Sequence, residues 1–452
     1  MVSSIAPPAP LTRSLGVAGV LFLTLSVTTP ASSVFVIVPG MLQVAGTGAV
    51  LATIAAALVC VATAYLYAEL SSAWPVAGGE YVMVARTLGP LAGFVMLGVN
   101  VFNNLLFLPV AGLGIREVLA GVWPGLPQVP VAMAVVAGCT LVALLNIRIN
   151  AWITGIFLAV EVAALALVAT LGLMEGTRNP VAFLAAPMTP SGAPASLTDL
   201  GVAASIAIFA FNGYGVAVYF GEEMHEAPRR IAKAVTAALA LTLVLEGVPL
   251  VAALMGAADL PALLASGDPF GLLVRQAVGA EAGGWVAAGV AIAIVNAIIA
   301  WVLACARFFY ATGRDGTWGR PVDRWLTSIH PRLGSPWIGT LMVGGTGMAL
   351  CVLPLRLLKV WSGAGLIAIY AGLAMAAIAG RRGGATAHAR YRMPLYPLAP
   401  AVTLIALAGI ACATWLDPED GRPAMLATAA QVALAAAYYL LVLRRRGWTA
   451  QA

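Results

Sequence analysis

The sequence predicts an all-α integral membrane protein with twelve transmembrane helices, and three observations carry that reading. Hydrophobic residues fill 61% of the 452 positions and charged residues only 9%, where a soluble domain carries roughly 25% charge. The apolar residues fall in twelve runs, each close to the ~20 residues needed to cross a bilayer. Two of those runs, the first and the sixth, are interrupted at mid-span by residues that an unbroken lipid-facing helix disfavours.

In order, the runs lie near 15–45, 47–70, 90–115, 128–147, 150–174 and 200–221, then 232–257, 283–306, 334–355, 360–380, 394–416 and 423–443. The first is interrupted by Ser26, Val27, Thr28, Thr29, Pro30, Ala31, Ser32 and Ser33. Pro30 removes a backbone donor and clashes with the preceding turn, so the helix breaks there. After the second run, Pro75, Gly78 and Gly79 turn the chain, and Glu80 to Leu88 is expected as a short cytoplasmic helix. The loop 176–197 holds prolines at 180, 187, 190 and 194 and is expected to be irregular, whereas 261–281 is expected to be a partly helical loop. The sixth run reads Phe211, Asn212, Gly213, Tyr214, Gly215 at its centre. Backbone broken inside a bilayer survives only where it is buried in protein or lines a cavity, because its unpaired N–H and C=O groups find no water. Two interrupted helices in the first and sixth places are what an inverted repeat of five helices plus five produces, with a ligand site between them near the midplane.

The formal charge of +6 reflects topology rather than a nucleic-acid partner. With twelve spans both termini share a side. Placing them in the cytoplasm leaves only six of the 24 basic residues outside, Arg116, Arg178, Arg275, Arg356, Lys359 and Arg422, as the positive-inside rule requires. Asp417, Glu419 and Asp420 then fall outside. The expected location is the plasma membrane, in a bacterium the inner membrane. The chain divides into a cytoplasmic tail (1–14), a first five-helix repeat (15–174), a second (198–380), helices 11 and 12 (394–443) and a second cytoplasmic tail (444–452). No cleavable signal stands out, since the first apolar run is too long for an h-region.

Several function classes fall away. The five cysteines are odd in number and lie in apolar stretches, so they read as buried small residues, not as a disulfide frame or metal site. There is no H-E-x-x-H, no C-x-x-C and no phosphate-binding G-x-x-x-x-G-K-[ST]. Neither enzyme chemistry nor a cofactor or metal is expected. The partners expected are the lipid bilayer, a small-molecule amino acid or amine, and a proton, with the number of subunits left open.

Four stretches, in this order, resemble the amino acid, polyamine and organocation transporter superfamily: AELSSAWPVAGGEY (68–81), FAFNGYG followed by GEEMHEAPRRIAKAV (209–235), RFFYATGRDG (307–316) and YRMPLYPLAP (391–400). The resemblance implies the leucine-transporter-like fold, with helices 1 and 6 broken and helices 11 and 12 outside the repeats. It also implies secondary transport of amino acids or related amines. At the first break the family carries G-S-G-[IV]-F, and Ala31, Ser32, Ser33, Val34 and Phe35 stand in its place. Amides at the start of the following half-helix would receive a substrate carboxylate, aided by the helix dipole. Phe209, Ala210 and Asn212 match positions whose carbonyls hold the substrate ammonium in similar transporters, with the Phe209 ring as a gate. Gly213 and Tyr214 complete the second break, Tyr214 as packing or recognition.

In the fifth helix some branches of the superfamily carry a lysine in F-x-x-x-K-L; IFLAVEVAAL (156–165) presents Glu161 there. A mid-span carboxylate is costly, on the order of 2.5–3.5 kcal/mol on insertion scales for Asp, and demands a reason. Glu161 is expected to couple transport to a proton or another cation, against the alternative of a neutral carboxyl bonded to a neighbouring helix. Glu246 either joins it or caps a kink at Pro249. Asn103 and Asn104 in the third span, and Asn296 in the eighth, face substrate or tie helices together. Glu222 and Glu223 are expected to pair with nearby arginines. Proton symport of a small amino acid is favoured, with a polyamine or organic-cation carrier or an exchanger as the alternative. A ligand sensor is a further alternative, which an added soluble domain would mark.

Overall fold

The computed structural model describes residues 11–119, 123, 125–145, 147–416, 418 and 421–450. The first ten residues of the N-terminal tail, the last two of the chain and the loop acids Asp417, Glu419 and Asp420 lie outside the described residues. The described chain is almost wholly helical. Among its residues, nine stretches are long and apolar enough to cross a membrane. One of them, Val17–Ala73, is 57 residues long and contains two crossings. It breaks at Gly46, where φ is +55°, and its two parts both pack along the helix Leu197–Ala210. Two shorter apolar helices, Gln128–Ala143 and Trp337–Leu350, complete the twelve that the hydropathy pattern predicts.

The first span runs Val17–Thr28, stops, and resumes as Pro30–Ser32, a π-turn Ser33–Ile37 and Val38–Ala45. Thr29 is the break, a non-glycine residue in the left-handed region at φ 45°, ψ 68°. Pro30 is then the first residue of the new half-helix, where its missing N–H and fixed φ cost nothing. The sixth span starts at Leu197 behind a capping box between Ser196 and Asp199 and ends at Ala210. After a turn through Gly213 it continues as a 3-10 run, Tyr214–Glu223. Ten residues is long for 3-10 geometry, whose hydrogen bonds are poorer than those of an α-helix, and such runs mark strained or functional segments.

The remaining spans are Pro90–Leu119, Ile147–Met174, Ala227–Gly256, Ala280–Arg314, Leu355–Arg382, Leu398–Leu416 and Gly421–Tyr438. The first half of span 1 packs against spans 5, 7 and 8 and the lower half of span 6, and the second half of span 1 against the upper half of span 6. The four half-helices therefore form the middle of the bundle. Spans 11 and 12 lie at its edge, and many of their side chains are exposed. This position corrects one expectation: Cys60, Cys139, Cys305 and Cys351 are buried, but Cys412 on span 11 is exposed. An apolar residue suits the lipid-facing side of a peripheral helix as well as its packed side.

The short helix after the second span covers Glu80–Leu88, as its turn residues predict. The loop 176–197 has more order than its prolines suggest, with a helix at Pro180–Ala185 and a bridge between Met188 and Pro194. The stretch 261–281 carries helices at Leu260–Ala265 and Pro269–Val278.

Candidate substrate site

The two interrupted helices meet. Gly213 has φ +124° and lies so close to Thr28 that a Cβ on it would stand 2.8 Å from the Thr28 Cα and Oγ1. Only glycine satisfies both the dihedral and the space. From the other side, the Ser33 hydroxyl donates to the Ala210 carbonyl at 3.0 Å, joining the last turn of one half-helix to the first turn of another. Thr28 turns its hydroxyl back onto the Thr24 carbonyl at 2.9 Å, and Thr29 reaches toward the Ala293 carbonyl of span 8 at 3.5 Å.

A narrow cavity of about 50 Å³ lies against these breaks, lined by Thr28, Thr29, Ser32, Ser33, Phe209, Ala210, Asn212, Phe107, Trp301 and Lys359, among others. One wall is aromatic: the Phe107 and Trp301 rings have centroids 4.5 Å apart, and the Trp301 indole N–H donates to the Asn104 carbonyl at 2.7 Å. Asn212 is held by Tyr370 of span 10, whose hydroxyl donates to Asn212 Oδ1 at 2.8 Å. A wider cavity of about 340 Å³ adjoins the narrow one and shares Val36, Ile37, Phe209 and Lys359 with it.

Of the residues singled out in the sequence, Ser32, Ser33, Phe209, Ala210 and Asn212 line the narrow cavity. Ala31 does not; it is fully buried, and its amide donates to Glu161 Oε1 at 2.8 Å. The half-helix therefore begins with a carboxylate already on its first turn, where the dipole favours negative charge. Glu161 is itself fully buried, and its second oxygen has no hydrogen-bond partner among the described residues. Glu246 is 2% exposed, has no hydrogen-bond partner for either oxygen among the described residues, and sits on span 7, which packs against the half-helix that begins at Pro30. The two acids so far apart in sequence thus flank one break.

Gly213 and Tyr214 sit behind the cavity rather than on it, and Tyr214 packs edge-on against Tyr67. Asn104 supports the site indirectly: its carbonyl holds Trp301 and its amide donates to Tyr219 at 3.3 Å. Asn103 lies beside Gly365 of span 10, and Asn296 is fully buried. Neither lines the narrow cavity.

The Arg-rich end of the bundle is tied by ion pairs. Arg307 is fully buried and grips Glu223 with two N–H groups, at 2.6 and 3.2 Å. Arg314 pairs with Glu222 at 2.8 Å, and Arg381 with Glu69 through two bonds of 2.6 Å. Sequence reasoning anticipated arginine partners for Glu222 and Glu223. It missed Glu80, which is buried between the Tyr67 hydroxyl at 2.8 Å and the Asn100 amide at 3.1 Å. Burial raises the Glu80 carboxyl above its ordinary range. It also missed Lys359, Tyr370 and Trp301. Polarity in an apolar run was the available signal for Tyr370 and Trp301, but nothing in the sequence told which face of their helices turns inward.

Comparison with known proteins agrees with this architecture. The model of a protein family described as amino acid permease matches residues 15–442. An uncharacterised transporter of Mycobacterium tuberculosis is 28% identical over 349 residues, covering 76% of this chain and 74% of its own. A branched-chain amino acid permease of Lactococcus lactis is 26% identical over 85% of this chain and 86% of its own. A methylthioribose transporter of Bacillus subtilis is 23% identical over 82% of this chain and 83% of its own.

Proposed function

The chain belongs to the amino acid permease family, a family of membrane transporters, and from that premise we propose that it moves a small amino acid or related zwitterion across the plasma membrane by alternating access. The observation that carries this reading is the meeting of two helix breaks on one cavity, Ser33 against Ala210 and Gly213 against Thr28. One break offers the Ser32 hydroxyl and the start of the half-helix to a carboxylate, with the Ser33 hydroxyl joining once its bond to Ala210 opens; the other offers the carbonyls of Phe209, Ala210 and Asn212 to an ammonium. Spans 1–5 (15–174) and 6–10 (198–380) act as two inverted repeats around it, with spans 11 and 12 (394–443) outside and both termini in the cytoplasm.

Glu161 couples the cycle to a proton. Its carboxylate holds the Ala31 amide at the start of the half-helix, so its charge opposes the positive end that a substrate carboxylate would use. Protonation removes that opposition, and substrate and proton then bind together. Glu246, beside the same break, shares this task. The ion pairs Arg307–Glu223 and Arg314–Glu222 keep the cytoplasmic side shut while the wide cavity stays open toward the other face.

The unpartnered oxygens, one on Glu161 and two on Glu246 among the described residues, also favour a second reading, an organic-cation or polyamine carrier in which Glu161 or Glu246 meets a substrate amine. Competition separates the two. Purified protein in proteoliposomes is assayed for uptake of labelled leucine against an excess of other amino acids and of amines lacking a carboxylate. Inhibition by amino acids with little effect of amines supports the zwitterion reading. Uptake blocked by amines, or amine uptake without amino acid uptake, overturns it.

A further inference from the structure

We propose that Lys359 receives the carboxylate of an incoming substrate with an apolar side chain, and passes it from the wide cavity to the narrow one. The inference rests on the zwitterion reading above and adds to it a specificity residue and the class of side chain admitted.

Lys359 lies one turn into span 10 and lines both cavities. It is the sole charged side chain in the described lining of either. The wide cavity is otherwise apolar apart from Ser205 and Thr414, with Val36, Ile37, Ile206 and Ile367 on its walls. Its volume of about 340 Å³ falls in the range of small-molecule sites, which pair apolar walls with a few placed polar groups. A substrate carboxylate drawn between such walls loses part of its water and is stabilised there by the ammonium.

The neighbouring acid does not already satisfy this cation. Glu117, at the end of span 3, stands 3.8 Å from the Lys359 amine, and both side chains are part-exposed, at 43% and 32%. At that separation the contact is electrostatic rather than a hydrogen bond, and an exposed pair of this kind is weak. Lys359 can therefore release Glu117 for a substrate carboxylate. The narrow cavity offers a carboxylate only neutral groups besides Lys359 itself, and at about 50 Å³ it must widen before a whole amino acid enters. The Phe209 ring borders both spaces. A substrate held by its carboxylate on Lys359, with its side chain on Val36, Ile37, Ile206 and Ile367, stands where a movement of Phe209 lets it through to Ser32 and Ser33.

A lipid headgroup phosphate would suit the same cation and apolar walls, so the experiment separates the two sources. Leucine uptake is measured in proteoliposomes for wild type, Lys359→Gln, Lys359→Arg and Glu117→Gln, with 4-methylpentanoate (leucine without its amine) and 3-methylbutylamine (leucine without its carboxylate) as inhibitors. For Lys359→Gln the half-saturating leucine concentration should rise about tenfold with the maximal rate within about a factor of two, the signature of lost charge-assisted binding. Inhibition by 4-methylpentanoate should fall in parallel, while 3-methylbutylamine remains as weak an inhibitor as it is of wild type, and the retained maximal rate reports that the variant is folded. Lys359→Arg should recover most of the loss, and Glu117→Gln should bind leucine no worse than wild type. Unchanged leucine kinetics in Lys359→Gln, or inhibition by 4-methylpentanoate that stays at the wild-type level, overturns the role of Lys359 and leaves the amino acid reading standing. A difference between Lys359→Gln and wild type that exists only in vesicles containing anionic lipid assigns the cation to a headgroup, and also overturns it. Wild type that takes up 3-methylbutylamine and not leucine overturns both.

Discussion

Removing Arg307 should destabilise the protein far more than removing it together with its partner. Arg307 is fully buried, Glu223 is 2% exposed, and two N–H groups bind the two carboxylate oxygens at 2.6 and 3.2 Å. The guanidinium also holds the Leu303 carbonyl at 3.0 Å and sits 6.0 Å above the Phe220 ring. An Arg307→Met variant keeps most of the packing but leaves Glu223 as a buried charge with no cation against it, a change that costs about 3–5 kcal/mol. The double variant Arg307→Met/Glu223→Leu removes both charges and should recover most of that loss, since well-packed apolar replacements of buried pairs are often neutral. Reversible unfolding in mixed micelles would measure both, with Glu223→Leu alone closing the cycle. If Arg307→Met is as stable as wild type, or if the double variant is no better than either single one, the pair is not a desolvated ion pair and the proposed closure at the Arg-rich end loses its main support. On the proposed cycle the pair closes the path in one half, so the same double variant should transport more slowly with substrate binding retained.

Gly213→Ala should cost about 2–4 kcal/mol, from a positive φ that L residues disfavour and a Cβ forced to within 2.8 Å of Thr28, and it should abolish uptake by prising the breaks apart; wild-type stability and uptake in this variant would contradict the close approach. Tyr370→Phe leaves the part-buried Asn212 side-chain oxygen without the 2.8 Å bond it accepts, at about 1 kcal/mol for a lost hydrogen bond, and should weaken substrate binding more than it weakens folding, as a thermal-shift titration would report.

Legibility in the sequence followed the physics of each feature. The breaks could be read because Pro30, Gly213 and the hydroxyl run act on their own backbone, and the short helix Glu80–Leu88 because its turn residues bracket it. The arginine partners of Glu222 and Glu223 were foreseeable because charge buried near an Arg-rich end needs a counter-charge. Facing was not legible: a helix that is apolar all round carries no amphipathic stripe to say which side turns inward. Hence Lys359 read as a loop charge, Glu80 as part of a surface helix and Cys412 as core. The contact of Glu161 with Ala31 joins residues 130 positions apart, and only the packing of span 5 against the break brings it about.

That contact is where the account is most exposed. Leucine uptake into proteoliposomes, with and without an imposed proton gradient, in wild type and in Glu161→Gln, tests it directly. Glutamine preserves the size of the side chain and an oxygen for the Ala31 amide but cannot take up a proton. Uptake driven by the gradient in wild type, and insensitive to it in Glu161→Gln with substrate binding intact, is the predicted result. Gradient-driven uptake that survives the substitution, or uptake that ignores the gradient in both proteins, contradicts it.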